Sequence, residues 1–276
     1  MAAKPKLGQN FLRDPQAIRR IVAALGDLTG RTVVEIGPGK GAITEGLSAH
    51  AGRLIAVETD RELAWVLQER FSPEKGHPNV SVLRQDILGY DFATAAKDSI
   101  EQAGGSNETA KLLVVGNLPY YITSPILLHL AASAASLDRA VLMVQREVAD
   151  RVTAKPGSRD YGLLSVTLQL YGSTESLFTL PPDAFSPPPE VHSTVFRWNF
   201  APRFATLGVE ETPFIRLLKQ SFAQKRKTLA NNLRAAGHSS EKVAEVFAST
   251  GISPQIRAEA LAVEELAAIW SALQRP

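Results

Sequence analysis

The 276-residue sequence predicts an α/β protein: an open parallel sheet, followed by a small all-helical C-terminal domain. Three observations point there. Between Thr32 and Gln145, strand-like apolar runs alternate with helical stretches, the pattern of parallel strands joined by right-handed crossovers. Two of those strands end in glycine- or proline-bearing turns, Gly37-Pro38-Gly39-Lys40-Gly41 after the first and Gly116-Asn117-Leu118-Pro119-Tyr120 after the fourth. Such strand ends are where open α/β sheets hold ligands. Beyond Pro213 there is no strand signal, and helical spacing runs to the end.

The elements follow in order. Lys4 to Asp14 is basic and turn-rich, with Asp14 as N-cap and Pro15 at the first helical position. Ile18, Ile21, Val22 and Leu25 then repeat at helical spacing until Asp27 to Gly30 end the helix. Thr32–Gly37 reads as the first strand, Ala42–His50 as a helix, Arg53–Glu58 as the second strand and Arg61–Phe71 as a helix. Val80–Asp86 is the third strand, and Ala103–Thr109 a loop before the fourth, Leu112–Val115. That run is apolar throughout, as befits a strand buried on both faces. Ser124–Ala135 reads as a helix and Ala140–Gln145 as a fifth strand. After Asp150 the pattern changes: Leu163–Tyr171 is a mixed apolar run without a clear period, Pro181–Pro189 a proline-rich loop, Ser193–Phe200 a late strand and Pro202–Val209 a linker. The expected domains are therefore 1–201 and 202–276.

Composition narrows the function classes. Hydrophobic residues make up 45% and charged ones 21%, which suits a globule with a sizeable core. There is no cysteine, so disulfides and thiolate metal sites are excluded, and the five histidines show no ligand spacing. No metal is expected. No apolar run reaches membrane-spanning length, and M-A-A-K-P-K lacks the apolar core of a secretion signal. A cytoplasmic protein is expected. The net charge of +2 says less than where the charge lies.

The glycine turn follows neither G-x-G-x-x-G nor the phosphate-loop spacing. Gly37 and Gly39 let the backbone approach a ligand closely, and Pro38 between them suits a nucleoside better than a pyrophosphate. Glu58 ends the second strand, placed to accept both ribose hydroxyls. Asp86 ends the third, placed to accept from an adenine amino group. Glu35 precedes the turn and is placed to face an α-amino group, directly or through water. Each acid alone reads as a solvated strand end. Together, with no phosphate-binding arginine, they fit a cationic, phosphate-free nucleoside: S-adenosylmethionine.

Asn117 to Tyr120 suits a second task, holding an exocyclic aromatic amine. The Asn117 side-chain carbonyl can accept one amine proton. A backbone carbonyl beside Pro119 can accept the other, since proline fixes the local backbone. Tyr120 can stack on the base. An ordinary strand-ending turn would use the same residue types.

Q-N-F-L at Gln9–Leu12, E-I-G-P-G-K-G at Glu35–Gly41 and N-L-P-Y at Asn117–Tyr120 together resemble the S-adenosylmethionine-dependent rRNA adenine dimethyltransferases. Q-R-E-V-A-D-R at Gln145–Arg151, F-S-P-P-P-E-V-H-S at Phe185–Ser193 and F-A-Q-K-R-K-T-L at Phe222–Leu229 are similar to its KsgA/RsmA branch. The resemblance covers essentially the whole chain. It implies a Rossmann-like methyltransferase sheet with a helical rRNA-binding domain, acting as a monomer. The implied reaction is dimethylation of the N6 amines of two adjacent adenosines, in the 3′-terminal hairpin loop of 16S rRNA, within the small ribosomal subunit or its precursor. It further implies that Asn10 and Leu12 close over the cofactor, Gly37 meets its methionine end, Glu58 holds ribose and Asp86 adenine. Asn117 then lies near the sulfonium, Leu118 leaves room for a first methyl, and Phe185 stacks on the target base opposite Tyr120. Tyr121 stands where the family commonly has asparagine.

An RNA grip is legible without the resemblance. Phe214 to Ala236 holds six basic residues and no acid. On one continuous helix Arg216, Lys219, Arg226, Lys227 and Arg234 fall within about 100° of each other, a face for phosphate. Lys4, Lys6 and Arg13 add charge from the amino-terminal arm. Rival readings are a DNA or large-subunit rRNA adenine methyltransferase, and a non-catalytic rRNA-binding assembly factor.

Overall fold

A computed structural model describes residues 10–102 and 111–275. Gln9, Lys4, Lys6 and the expected loop at Ala103–Thr109 lie outside the described residues. Two compact units emerge: 1–149 with 175–200, and 150–174 with 201–276.

In the first unit a two-residue strand β1 (Phe11–Leu12) precedes helix α1 (Pro15–Ala24). The Asp14 carboxylate accepts from Gln16 N and Ala17 N, the capping role its position suggested. Then come β2 (Thr32–Ile36), α2 (Ala42–Ser48), β3 (Arg53–Glu58), α3 (Arg61–Arg70), β4 (Val80–Arg84), α4 (Phe92–Gln102), β5 (Leu112–Asn117), α5 (Thr123–Ala132) and β6 (Leu137–Gln145). Helix α6 (Arg146–Val152) follows and, after α7 (Leu163–Tyr171) of the second unit, strands β7 (Gly172–Leu180), β8 (Phe185–Ser186) and β9 (Ser193–Phe200).

The large sheet has the order β4-β3-β2-β5-β6-β9-β7. From β4 to β6 all pairs are parallel, as the alternating pattern requires, whereas β9 runs antiparallel to β6. The chain winds outward from β2 to β3 to β4, then returns to β5 on the other side of β2. That reversal opens a crevice at the carboxyl ends of β2 and β5. Gly116 pairs with Ile36 there, and a Cβ on Gly116 would lie 2.8 Å from Ile36 O. Only glycine lets these two strands approach so closely. Val33, Val34, Val114 and Val115 are fully buried, as a sheet covered on both faces demands.

Strands β1, β7 and β8 and helices α4 and α6 have no counterpart among the expected elements. Strand β7 is polar and half-exposed, so it shows no apolar run; it is held by edge contacts, Arg197 to Glu175 and Thr179 to Thr194. The third strand also ends at Arg84, which leaves Asp86 as the N-cap of a 3-10 turn, its carboxylate accepting from Leu88 N.

In the second unit, α7 shows that the periodless run at 163–171 is helix; it has no solvent-facing polar stripe because it is buried on nearly all sides, Ser165 and Thr167 included. It packs with α9 (Glu211–Ser221) and α12 (Val263–Gln274). Tyr171 Oη donates to Glu211 Oε1 at 2.7 Å. Contacts therefore group 150–174 with the helical part, where the sequence boundary at 201/202 kept it in the first domain. Short helix α8 (Phe204–Leu207) occupies the expected linker, and α10 (Leu229–Ala235) and α11 (Ser240–Thr250) complete the bundle.

The single basic helix expected from 214 to 236 is broken. Helix α9 ends at Ser221, and α10 restarts after Thr228, whose hydroxyl accepts from Asn231 N. The break is stabilised from inside: buried Asn232 donates to the carbonyls of Ser221 and Gln224, groups that a continuous helix would have bonded itself. The helical-wheel relation among the five basic residues consequently does not hold.

Candidate active site

The crevice opens into a cavity of about 140 Å³. Its walls come from β1, the glycine turn, the ends of β3 and β4, and the turn after β5. Asn10, Leu12, Glu35, Gly37, Gly39, Glu58, Asp86, Asn117, Leu118, Pro119 and Tyr120 all line it. Residues about eighty positions apart, such as Gly37 and Asn117, thus meet because β2 and β5 are neighbours.

Gly37 and Gly39 have φ of +62° and +58°, the left-handed region where a side chain is strained. A Cβ on Gly39 would also press within 3.0 Å of the Phe11 ring. The turn in turn organises Glu58, which is 3% exposed: Oε2 accepts from Gly39 N at 3.1 Å and Oε1 from Asp60 N at 2.9 Å. Two backbone donors fix that carboxylate at the cavity wall. Glu35 is 1% exposed and accepts from Thr44 Oγ1 at 2.7 Å. Burial pushes its carboxyl up to about 7; the Thr44 hydrogen bond opposes this, and the Glu58 charge adds to it.

At the facing wall, Asn117 Nδ2 donates to Asn10 O at 3.0 Å. The amide is thereby oriented, with Oδ1 as its remaining acceptor. Thr123 Oγ1 and Ile122 N both donate to Pro119 O, which leaves the Leu118 carbonyl as the second candidate acceptor. Leu118 N itself donates to Met143 O, pinning the turn to β6. Tyr120 is half-buried, with its hydroxyl 3.2 Å from Ser193 Oγ.

Phe185 is a correction. It is 1% exposed, pairs with Leu12 through β1 and β8, and packs in the core with Ile21, Leu25 and Val195. It does not line the cavity. The family resemblance implied a stacking jaw, whereas the ring is the hydrophobic plug that a proline-rich loop by itself suggests, turned inward by strand pairing. Arg216, Lys219, Arg226, Lys227 and Arg234 are all exposed in the second unit, and none forms an ion pair among the described residues. Arg13 donates to Asp183 O instead of standing free.

Several cavity residues escaped the sequence reading. Phe11 lies inside the Q-N-F-L motif, and its ring carries Lys40 Nζ at 4.6 Å. Ile87 follows Asp86 as an apolar wall, and Tyr121 stands at the mouth. The signal for Ile87 was its place directly after a strand-end acid; Phe11 had none beyond the motif.

The lining suits S-adenosylmethionine. Three carboxylates face one lysine, so the site accepts hydrogen bonds and favours a cation, while Ile36, Val57 and Ile87 give apolar surface for a purine. A buried carboxyl held up near 7 is the environment that a ligand ammonium would relieve. Fold and site together define an S-adenosylmethionine-dependent methyltransferase. The chain belongs to the ribosomal RNA adenine dimethylase family, whose model matches residues 1–275. It is similar to a ribosomal RNA small subunit methyltransferase A of Acidobacterium capsulatum, 57% identical over 98% of this chain and 91% of that one. A relative with the same description from Koribacter versatilis is 50% identical over 99% and 95%. Among solved structures, a dimethyladenosine transferase from Plasmodium falciparum shares the fold with a TM-score of 0.78, at 21% identity, covering 94% of this chain and 95% of that one.

Proposed function

We infer that this enzyme dimethylates the N6 amines of two adjacent adenosines in the 3′-terminal hairpin loop of small-subunit (16S) rRNA, during assembly of the subunit in the cytoplasm. The small-subunit assignment is supported by the description its relatives share. The amine-holding assignment rests on one observation above all, the hydrogen bond from Asn117 Nδ2 to Asn10 O.

An adenine amine is a poor nucleophile because its lone pair is delocalised into the ring. Asn117 Oδ1 and the Leu118 carbonyl accept its two protons and hold the nitrogen with its lone pair out of the base plane. Positioning of this kind lowers barriers by about 7–11 kcal/mol in the best intramolecular cases. Tyr120 stacks on the extruded base and excludes water. Glu58 binds ribose hydroxyls, Asp86 the cofactor adenine and Glu35 its ammonium. S-adenosylmethionine, when bound, supplies a methyl group activated by a sulfonium leaving group. No strong base is required, since the alkylated ammonium is acidic enough to lose its proton to water. Leu118 borders the space that the first methyl must occupy during the second transfer.

Exposed Arg216, Lys219, Arg226, Lys227 and Arg234 fit a sequence-independent grip on phosphate. The test is methyl incorporation into small-subunit particles, large-subunit rRNA and duplex DNA side by side. Incorporation confined to the small subunit, at two adjacent dimethyladenosines by mass spectrometry, is expected. Preferential labelling of either other substrate would overturn the assignment.

A further inference from the structure

Only two aromatic side chains rank as exposed among the described residues, Trp65 at 64% and Tyr121 at 62%. Trp65 stands on α3 and takes no part in the cavity, whereas Tyr121 borders its mouth. An aromatic ring left in water at a binding cleft points to a ligand face.

The local backbone explains how two consecutive tyrosines can do different things. Tyr120–Ile122 is a 3-10 turn, in which successive side chains diverge by about 120°. Tyr120 is drawn inward, its hydroxyl against Ser193 Oγ. Tyr121 consequently projects outward. The other aromatic residues are accounted for. Phe185 is buried in the core, and the Phe11 ring is covered by Lys40 Nζ at 4.6 Å and by the close approach of Gly39. Tyr121 therefore offers the open ring at the entrance.

Extruding a base leaves its neighbour without a stacking partner on one side, and that loss opposes the extrusion. A ring at the cleft mouth can restore the missing stack, and base-on-aromatic stacking tolerates any base. We propose that Tyr121 is a substrate-positioning residue that stacks on the nucleotide adjacent to the target adenosine. The proposal rests on the adenosine-methylating function inferred above. RNA is directional, and one ring on one side of the mouth receives the neighbour from one strand direction only, whichever base that neighbour carries.

The experiment compares the full-length wild type, Tyr121→Ala and Tyr121→Phe on a hairpin RNA with two adjacent loop adenosines. Matched RNAs carry an abasic nucleotide on the 5′ or the 3′ side of a single target adenosine, and S-adenosylmethionine affinity is measured in parallel. Expected is a KM raised roughly 5- to 100-fold in Tyr121→Ala, with kcat within about twofold and cofactor affinity unchanged. Tyr121→Phe restores the wild-type KM. On RNA abasic at the stacking side, wild type and Tyr121→Ala become equal. Unchanged KM at both adenosines overturns the proposal, and so does the same KM defect on the abasic RNAs. A wild type that binds cofactor but methylates neither these RNAs nor small-subunit particles assayed alongside refutes the functional assignment itself, and the stacking role with it.

Discussion

Glu35→Gln isolates a single buried carboxyl. Glutamine keeps the volume and still accepts from Thr44 Oγ1, but it cannot ionise. In the folded protein burial pushes Glu35 from its ordinary 4.5 up to about 7. Between pH 4.5 and 7 the unfolded chain has already released this proton while the folded chain retains it, so stability falls as pH rises through that window and is flat above it. At about 1.4 kcal/mol per pH unit, the loss amounts to roughly 3 kcal/mol. The variant should therefore gain about 3 kcal/mol on wild type between pH 4.5 and 7.5, close to 1 M in urea midpoint at an m-value of about 3 kcal/mol/M. Urea titrations of both proteins at half-unit pH steps measure it. A pH-independent difference between the two would refute the reasoning, because it would mean that Glu35 ionises at its ordinary value despite being 1% exposed. Cofactor binding offers a second reading of the same group. A ligand ammonium beside Glu35 favours the carboxylate, so wild-type affinity should rise with pH up to about 7, with proton release, and the glutamine variant should lose both effects.

Asn117→Ala should reduce methyl transfer at least about 100-fold, the scale of losing one preorganised polar contact at a reacting centre, with cofactor affinity nearly intact; unchanged turnover in a radiolabel assay would refute the amine-holding role. Arg226→Glu with Lys227→Glu should weaken RNA binding and reduce the slope of log affinity against log salt by about 2, measured by filter binding across a salt series. If affinity holds at moderate salt, that loop is not the RNA face. Phe185→Ala should cost about 3–5 kcal/mol of stability as a core truncation, seen in denaturant melts. A variant of wild-type stability with a raised KM for RNA would restore the exposed-jaw role.

The parallel sheet, the glycine turn and the acids at strand ends were legible in sequence because each is local. A buried strand is a short apolar run, positive φ needs glycine, and a strand-end acid shows by its offset from the turn. Glu58 and Asn117 could be proposed from those offsets alone. Tertiary structure decided the rest. Strand β7 is a polar edge held by the pairs Arg197–Glu175 and Thr179–Thr194, whose partners lie 22 and 15 positions apart in sequence. The break between α9 and α10 depends on the buried Asn232 amide bonding two carbonyls of the preceding segment. Phe185 faces inward because β8 pairs with β1, 173 positions upstream in the Leu12–Phe185 register, a partner that no local period encodes. Sequence determines what each short segment can become, since backbone preference and side-chain period are properties of neighbours. Which surface a side chain finally faces is fixed by long-range pairing, and that information exists only once the chain has closed on itself.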